Sequence, residues 1–188
     1  MENPAGVRGY VVTAVDVAGR PGRSNIAIDL GCGSDVVPLY LIGRGWRVLA
    51  IDKDPTVVAH LRARAEKQRS GRLSAVCADF QEIPLPRASL IHAGYALQYA
   101  HPASFADLWR RISAALYPDG VFAGHFFGQK DQFAKYDQFS AFKSEALQIL
   151  FADWRIEHWH EFHGPGHRDP SRLWHFFTVV AKLPGNPT

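Results

Sequence analysis

Three carboxylates stand at intervals that suit the polar ends of a nucleoside: Asp29, Asp52 and Asp79. Asp29 lies in an apolar run, Ala27-Ile28-Asp29-Leu30, followed at once by Gly31-Cys32-Gly33-Ser34. Apolar residues leading into glycines suit a buried parallel strand, and Gly31 and Gly33 let the backbone turn with no Cβ between it and a ligand. Ser34 and Asp35 are placed to cap the following helix, whose unpaired N–H groups and dipole face the same ligand. Asp52 ends the next apolar run, Trp46 to Ile51, 21 residues after Gly31 and with Lys53 beside it. That is the reach of a carboxylate that accepts from ribose hydroxyls. Asp79 follows a third run, Leu73 to Cys77, and could accept from an adenine amino group, with Phe80 as its stacking neighbour.

The same spacing separates the possible ligands. A dinucleotide fingerprint needs glycine at position 36, where this chain has Val36. Asp29, just before the turn, would repel a diphosphate, whereas a cationic ammonium group could donate charge-assisted hydrogen bonds to it. A nicotinamide-dependent oxidoreductase is therefore disfavoured.

Stepping outward, apolar runs predict strands near 26–30, 46–51, 73–78, 88–94, 120–127, 153–162 and 173–182, with helices near 35–44, 54–69, 103–116 and 140–151. The alternation predicts an α/β fold: a Rossmann-like, doubly wound, seven-stranded and mostly parallel sheet with helices on both faces. Ligands of such sheets sit at the carboxyl ends of the strands, where the three acids and Tyr95 fall. The last two strands are joined by Gly164 to Pro170, too short for a crossover helix, and so predict an antiparallel hairpin. The chain reads as one domain over 1–188, with a cap segment at 1–25, a core at 26–182 and a frayed tail at 183–188.

These segments resemble the class I S-adenosylmethionine-dependent methyltransferases. Asp29-Leu30-Gly31-Cys32-Gly33 resembles the family's glycine motif, Ile51-Asp52 its ribose-binding acid and Ala78-Asp79-Phe80 its adenine-binding acid. Tyr95 to Tyr99 is similar to the segment that meets the reacting end of the cofactor, and Leu116 to Phe122 to the turn entering the fifth strand. Within the class, Ser34-Asp35 through Leu41, the Trp109 helix, Phe142-Lys143 and Trp174-His175-Phe176 look most like the small methyltransferases grouped with the tellurite-resistance proteins. Many members have glycine where this chain has Asp35, whose side chain is read here as a helix cap. The resemblance implies S-adenosylmethionine as cofactor, S-adenosylhomocysteine as product, and Asp29, Gly31, Gly33, Ser34, Asp52, Lys53, Asp79, Phe80 and Tyr95 as its binding residues. A catalytically silent, partner-regulating member of the fold is the alternative.

Methyl transfer asks mainly for alignment, because the sulfonium already activates the methyl group. A general base is needed only where the acceptor carries a proton. Tyr95 and His125 are the candidates for that role, each expected at a strand end. Tyr10, Gln98, Tyr99, His101, Asp131 and Trp174 are expected around the substrate, and His92 is expected to pack on a helix. Phe126 to Phe142 reads as a substrate-covering loop, and Trp154, Trp159, Phe162 and Trp174 predict an aromatic acceptor pocket suited to a small organic molecule. His158 and His160 share a strand face but lack a recognised metal-ligand spacing, so no metal is expected.

Composition agrees with this reading. A hydrophobic share of 47% supports a sizeable core, and a formal net charge of +3 is too mild to mark a nucleic-acid binder. Arg62, Arg64, Lys67, Arg69 and Arg72 read as one solvated helix face. Without a long apolar stretch or a leader pattern, no membrane partner is expected and the cytoplasm is the default location. Cys32 and Cys77 cannot form a disulfide scaffold and read as small buried residues.

Overall fold

The computed structural model describes residues 6–20, 25–68, 71–167 and 169–185. Parts of the cap segment (1–5 and 21–24), Arg69, residue 168 of the hairpin connection and tail residues 186–188 lie outside them. Every predicted strand is present: β1 (Ile26–Leu30), β2 (Arg47–Asp52), β3 (Leu73–Cys77), β4 (Ala88–Ala93), β5 (Leu116–Gly128), β7 (Arg155–Pro165) and β8 (Leu173–Lys182). A two-residue strand, β6 (Ala141–Phe142), adds to the expected seven by pairing with the end of β5. The order is β3-β2-β1-β4-β5-β8-β7, parallel from β3 to β5 and antiparallel through β8 and β7. Successive strands are added outward in one direction from β1 to β3 and in the other from β4 to β5. The strand order thus reverses between the parallel strands β1 and β4, and the crevice at that switch point is where an open α/β sheet binds ligands.

The helices are α1 (Gly9–Ala18), α2 (Val36–Gly43), α3 (Pro55–Gln68), α4 (Pro102–Ala115) and α5 (Ser144–Leu150). In α4, Phe105, Leu108, Trp109 and Ile112 recur at helical spacing and are buried, and Pro102 at the first turn needs no N–H partner. Together with Leu147 of α5 they cover one sheet face, while Tyr10 and Val11 of α1 and Tyr40 and Leu41 of α2 cover the other. With both faces covered, β1 is buried along almost its whole length.

Several boundaries differ from expectation for physical reasons. The cap segment contains a full helix, α1, held by its apolar side against β4, β5 and β8. The expected helix at 140–151 starts later, because Ala141 and Phe142 find backbone partners on β5 first. The tail is not frayed at Leu183, whose N–H donates to the Gly120 carbonyl. Cys77 is exposed and Cys32 half-buried, contrary to the reading of both as buried, since β3 is a sheet edge with no outer neighbour. Asp35 does not cap α2: its carboxylate lies 3.0 Å from Arg64 and 3.4 Å from His60 on α3.

Candidate active site

Two cavities open at the carboxyl end of the sheet and share one residue, Tyr95. The first, of about 370 Å³, is lined by Gly31, Cys32, Gly33 and Ser34 of the β1–α2 turn, Asp52 and Lys53 after β2, Asp79, Phe80 and Gln81 after β3, and Gly94, Tyr95, Ala96 and Tyr99 after β4. Gly31 adopts φ +60°, and a Cβ there would sit 2.7 Å from the Ala96 Cβ. Only glycine permits both the turn and the close approach of the β4 loop. Gly33 is likewise left-handed, and its N–H donates to Asp52 Oδ2 at 2.8 Å, tying the glycine turn to the second strand. Asp52 Oδ1 accepts from Asp54 N at 3.0 Å.

Eight of the nine residues expected to bind cofactor line this cavity, and the ninth, Asp29, does not. It is 1% exposed, beneath the floor, where the β1–β4 register sets it directly opposite His92. Its Oδ1 lies 2.6 Å from His92 Nδ1, and His92 Nε2 lies 2.7 Å from the Tyr10 hydroxyl. A carboxylate accepts, so Nδ1–H donates to Asp29 and leaves Nε2 to accept from Tyr10. Asp29 Oδ2 has no partner. His92 does pack on a helix, as expected, with its ring stacked on Tyr10 of α1.

The second cavity, of about 590 Å³, is walled by Tyr95, Phe162, Trp174 and Phe176, with Arg8 and Arg172 as its cations. Phe162 and Trp174 are here as predicted. Trp154 and Trp159 instead pack on Phe151 in the core. Arg172 stacks over Phe133 and Trp174 at 3.8 and 3.7 Å and meets Asp131 at 3.1 Å. Asp131 is thus a buried anchor for Arg172 and for the His175 N–H, not a lining residue. The loop expected over the substrate, 126–142, has Phe126 in the core and Phe133, Tyr136 and Phe139 packed on one another, and borders a separate open groove of about 720 Å³. That groove is larger than either cavity described above, but it shares no lining residue with them.

Tyr95 itself has φ +54°, a strained conformation for a bulky residue, held from several sides. Its ring lies 3.8 Å from His125 in a near-parallel stack, its carbonyl accepts from Gln98 Nε2, and its hydroxyl accepts from Arg8 at 3.3 Å. Burial raises the Tyr95 phenol above its ordinary value, so it stays protonated at neutral pH. His125 is 1% exposed, and burial, followed by nearby His92 and Arg8, pushes its imidazole well below the usual range. Of the two catalytic candidates, then, Tyr95 reaches the cavities and His125 supports it from behind. Tyr10 and Gln98 are buried supports too, Tyr99 lines the first cavity, and His101 caps α4 by accepting from Ala103 N. Of the six residues expected around the substrate, Trp174 alone lines the ring-walled cavity.

Among the described residues, most of the buried polar atoms without a hydrogen-bond partner gather here: Asp29 Oδ2, Gln98 Oε1, His125 Nδ1 and Arg172 Nε belong to residues at or beneath the two cavities, whereas Trp46 Nε1 and Arg64 Nε lie elsewhere. Buried polar groups are normally satisfied, so such a cluster marks a site rather than a core. Sequence reasoning missed Gln81 and Arg8. Gln81 donates to both Asp79 oxygens at 3.2 Å, holding the carboxylate that an adenine amino group would engage. Arg8 precedes α1, in a stretch with no periodic or motif signal. Among the described residues no three metal-ligating side chains converge, and no helix is long and apolar enough to cross a membrane.

A family model described as a methyltransferase domain matches residues 27–120. The carboxy-S-adenosyl-L-methionine synthase of Geobacter metallireducens is 31% identical over 99 residues, which cover 50% of this chain and 41% of the relative; the chain spans about half the length of the curated relatives it matches. TehB from Haemophilus influenzae superposes with a TM-score of 0.79 at 19% identity, covering 95% of this chain and 63% of TehB. The 1,6-didemethyltoxoflavin-N1-methyltransferase of Burkholderia thailandensis, solved with bound 1,6-didemethyltoxoflavin and S-adenosylhomocysteine, gives 0.72 at 20% identity, covering 94% of this chain and 77% of that one. These likenesses establish the Rossmann-like methyltransferase fold.

Proposed function

The chain belongs to the methyltransferase-domain family, and from that premise we propose that it is an enzyme that transfers the methyl group of S-adenosylmethionine to a small organic molecule. The observation that carries this reading is the meeting of two cavities at Tyr95, one lined by acids and a glycine turn, the other by aromatic rings. The first fits an adenosyl cofactor: Asp52 offers carboxylate oxygens for ribose, Asp79 one for the adenine amino group, and Phe80 a face for the ring. Asp29 Oδ2, buried and unpartnered below the turn, supplies negative charge toward the ammonium end. When bound, the cofactor supplies a methyl group already activated by a sulfonium.

The protein's own task is then alignment and exclusion of water. Gln98, His125 and Arg8 fix Tyr95, whose ring forms the wall between the cavities and sets the direction of approach. Such positioning contributes roughly 7–11 kcal/mol in the best cases. The small volume of the second cavity and its ring walls favour a compact organic acceptor over a nucleic acid, and we place the reaction in the cytoplasm. The silent-module alternative loses its main support, since Asp35 is turned away to Arg64 and His60 and does not line the first cavity.

The test is calorimetric titration with S-adenosylmethionine and S-adenosylhomocysteine, with NADH as control. Saturable binding of the adenosyl compounds alone is expected; binding of NADH instead, or of none, overturns the proposal.

A further inference from the structure

Arg8 is the cation of the ring-walled cavity left without a carboxylate among the described residues. Among the described residues it meets the Tyr95 hydroxyl at 3.3 Å and the Tyr95 ring at 4.8 Å. The other guanidinium, on Arg172, is taken up by Asp131 and sandwiched between Phe133 and Trp174. Arg8 is also held in place from beneath. It precedes α1, and two residues on, Tyr10 is locked through His92 to Asp29. A buried chain of three side chains thus fixes the helix whose start delivers a positive charge to the junction of the two cavities.

We infer that the acceptor enters as an anion with a flat, unsaturated body, its charge met by Arg8 and its faces by Tyr95, Phe162, Trp174 and Phe176. This rests on the methyltransferase reading above and goes on to name the class of acceptor. Rings at right angles to one another, Tyr95 against Trp174 and against Phe176 at 5.7 and 5.3 Å, form a corner that fits a planar group. Guanidinium binds carboxylate-like anions through paired N–H groups, and more strongly away from water.

Charge balance points the same way. In the transfer, a lone pair of the anion forms the new bond to the methyl carbon as the carbon–sulfur pair returns to sulfur. An anion and a sulfonium become two neutral molecules, and no proton has to be placed. The cavity is built for that case. Tyr95 holds its proton, and the two lining groups able to take one, His167 and Asp169, are exposed on the hairpin connection and are not partners of Tyr95. Asp169, the lining carboxylate that would oppose an anion, has its Oδ1 engaged by Ser171 N and Oγ.

The experiment is a titration of the full chain, with and without S-adenosylhomocysteine, using benzoate, cinnamate and 2-naphthoate, each against its neutral amide, followed by tryptophan fluorescence. The acids are expected to bind about tenfold or more tighter than their amides. Arg8→Met should erase that preference, and Arg8→Lys should keep part of it. Because Arg8 is exposed, folding of both variants is expected to be intact and is checked by circular dichroism. Amides that bind as well as the acids, a preference that survives Arg8→Met, or no binding by any acid overturns the inference. Equal binding of selenite, which has no ring, overturns the flat body. Adenosyl binding is measured separately, so loss of the acid preference with adenosyl binding intact strikes this inference and leaves the parent reading standing.

Discussion

The two cavities that meet at Tyr95 are built in opposite ways. The first cavity, which we propose holds the cofactor, takes its lining from three consecutive strand-to-loop junctions, at 31–34, 52–53 and 79–81, with the β4 loop closing it. Its work is done by backbone turns and by acids at their tips. The second cavity, proposed for the acceptor, is assembled from residue 8, residue 95 and the β7–β8 hairpin, segments joined only by the folded core, and its lining is made of side chains held by other side chains. A site made of local junctions should lose ligand affinity when altered yet keep its fold. A site made of long-range props should lose stability first.

The largest effect expected from that contrast is at Asp131. Its side chain is wholly buried, and Arg172 is only 12% exposed. Asp131→Ala leaves a buried guanidinium without its anion and strips the acceptors from the His175 and Phe133 N–H groups. A loss of about 3–5 kcal/mol in urea unfolding is expected. A loss below about 1 kcal/mol would show that the acceptor wall does not depend on this prop.

Asp52→Ala should do the reverse. Removing a half-buried carboxylate that accepts from Gly33 and Asp54 N–H groups costs little stability, but it deletes the acceptors facing the ribose. Affinity for S-adenosylhomocysteine should fall about 10–100-fold by calorimetry, as the loss of charged hydrogen bonds implies. Unchanged affinity would mean that the ribose lies elsewhere.

The same contrast explains what was legible in the chain. Gly31, Asp52 and Asp79 could be read because each sits at the end of its own apolar run, so local pattern alone put them at strand tips. Asp29 was read by that rule and is the exception. Its neighbour His92 lies 63 residues away, and only the β1–β4 register reveals that the two face one another. Arg8 and Gln81 carry no periodic signal, and the split of the aromatics between core and cavity depends on which side of β7 and β8 each one faces. Asp131 and Gln98 were expected near the substrate and do lie close, but behind the wall, since a polar residue near a strand end can serve a cavity from either side.

A smaller effect is expected from His125, which faces Tyr95, Tyr10 and Phe176 and lies near His92 and Arg8. Its imidazole is held neutral in the fold but is free to protonate when unfolded. The unfolded state therefore binds the extra proton, and the stability tied to this group is complete above about pH 6.5. It declines by up to about 1.4 kcal/mol per pH unit as pH falls below that value toward the folded pKa. Urea unfolding at pH 7.5 and 5.5 should show this slope reduced in His125→Phe relative to the parent chain. An equal slope in both would place the sensitive group elsewhere.

The smallest expected change in stability falls at the residue both cavities share. Replacing Tyr95 by glycine relieves a left-handed backbone cost of roughly 1–2 kcal/mol. It also removes the ring stacked on His125 at 3.8 Å, worth about 0.5–1.5 kcal/mol. The half-buried ring's own burial is worth roughly 1–2 kcal/mol more, so the loss outweighs the relief and unfolding should become easier by about 1 kcal/mol. Function should not be neutral. With the ring gone, the acceptor loses the surface that aligns it and Arg8 its hydroxyl partner, so methyl transfer to a flat acid should fall far more steeply than binding of S-adenosylhomocysteine. Tyr95→Phe, which keeps ring and wall but drops the hydroxyl, separates the roles: near-parental turnover assigns them to the ring, and turnover as low as in the glycine variant assigns them to the hydroxyl's hold on Arg8. A strained backbone offset by the packing of its own side chain is what a fold can sustain where that side chain is also needed for chemistry.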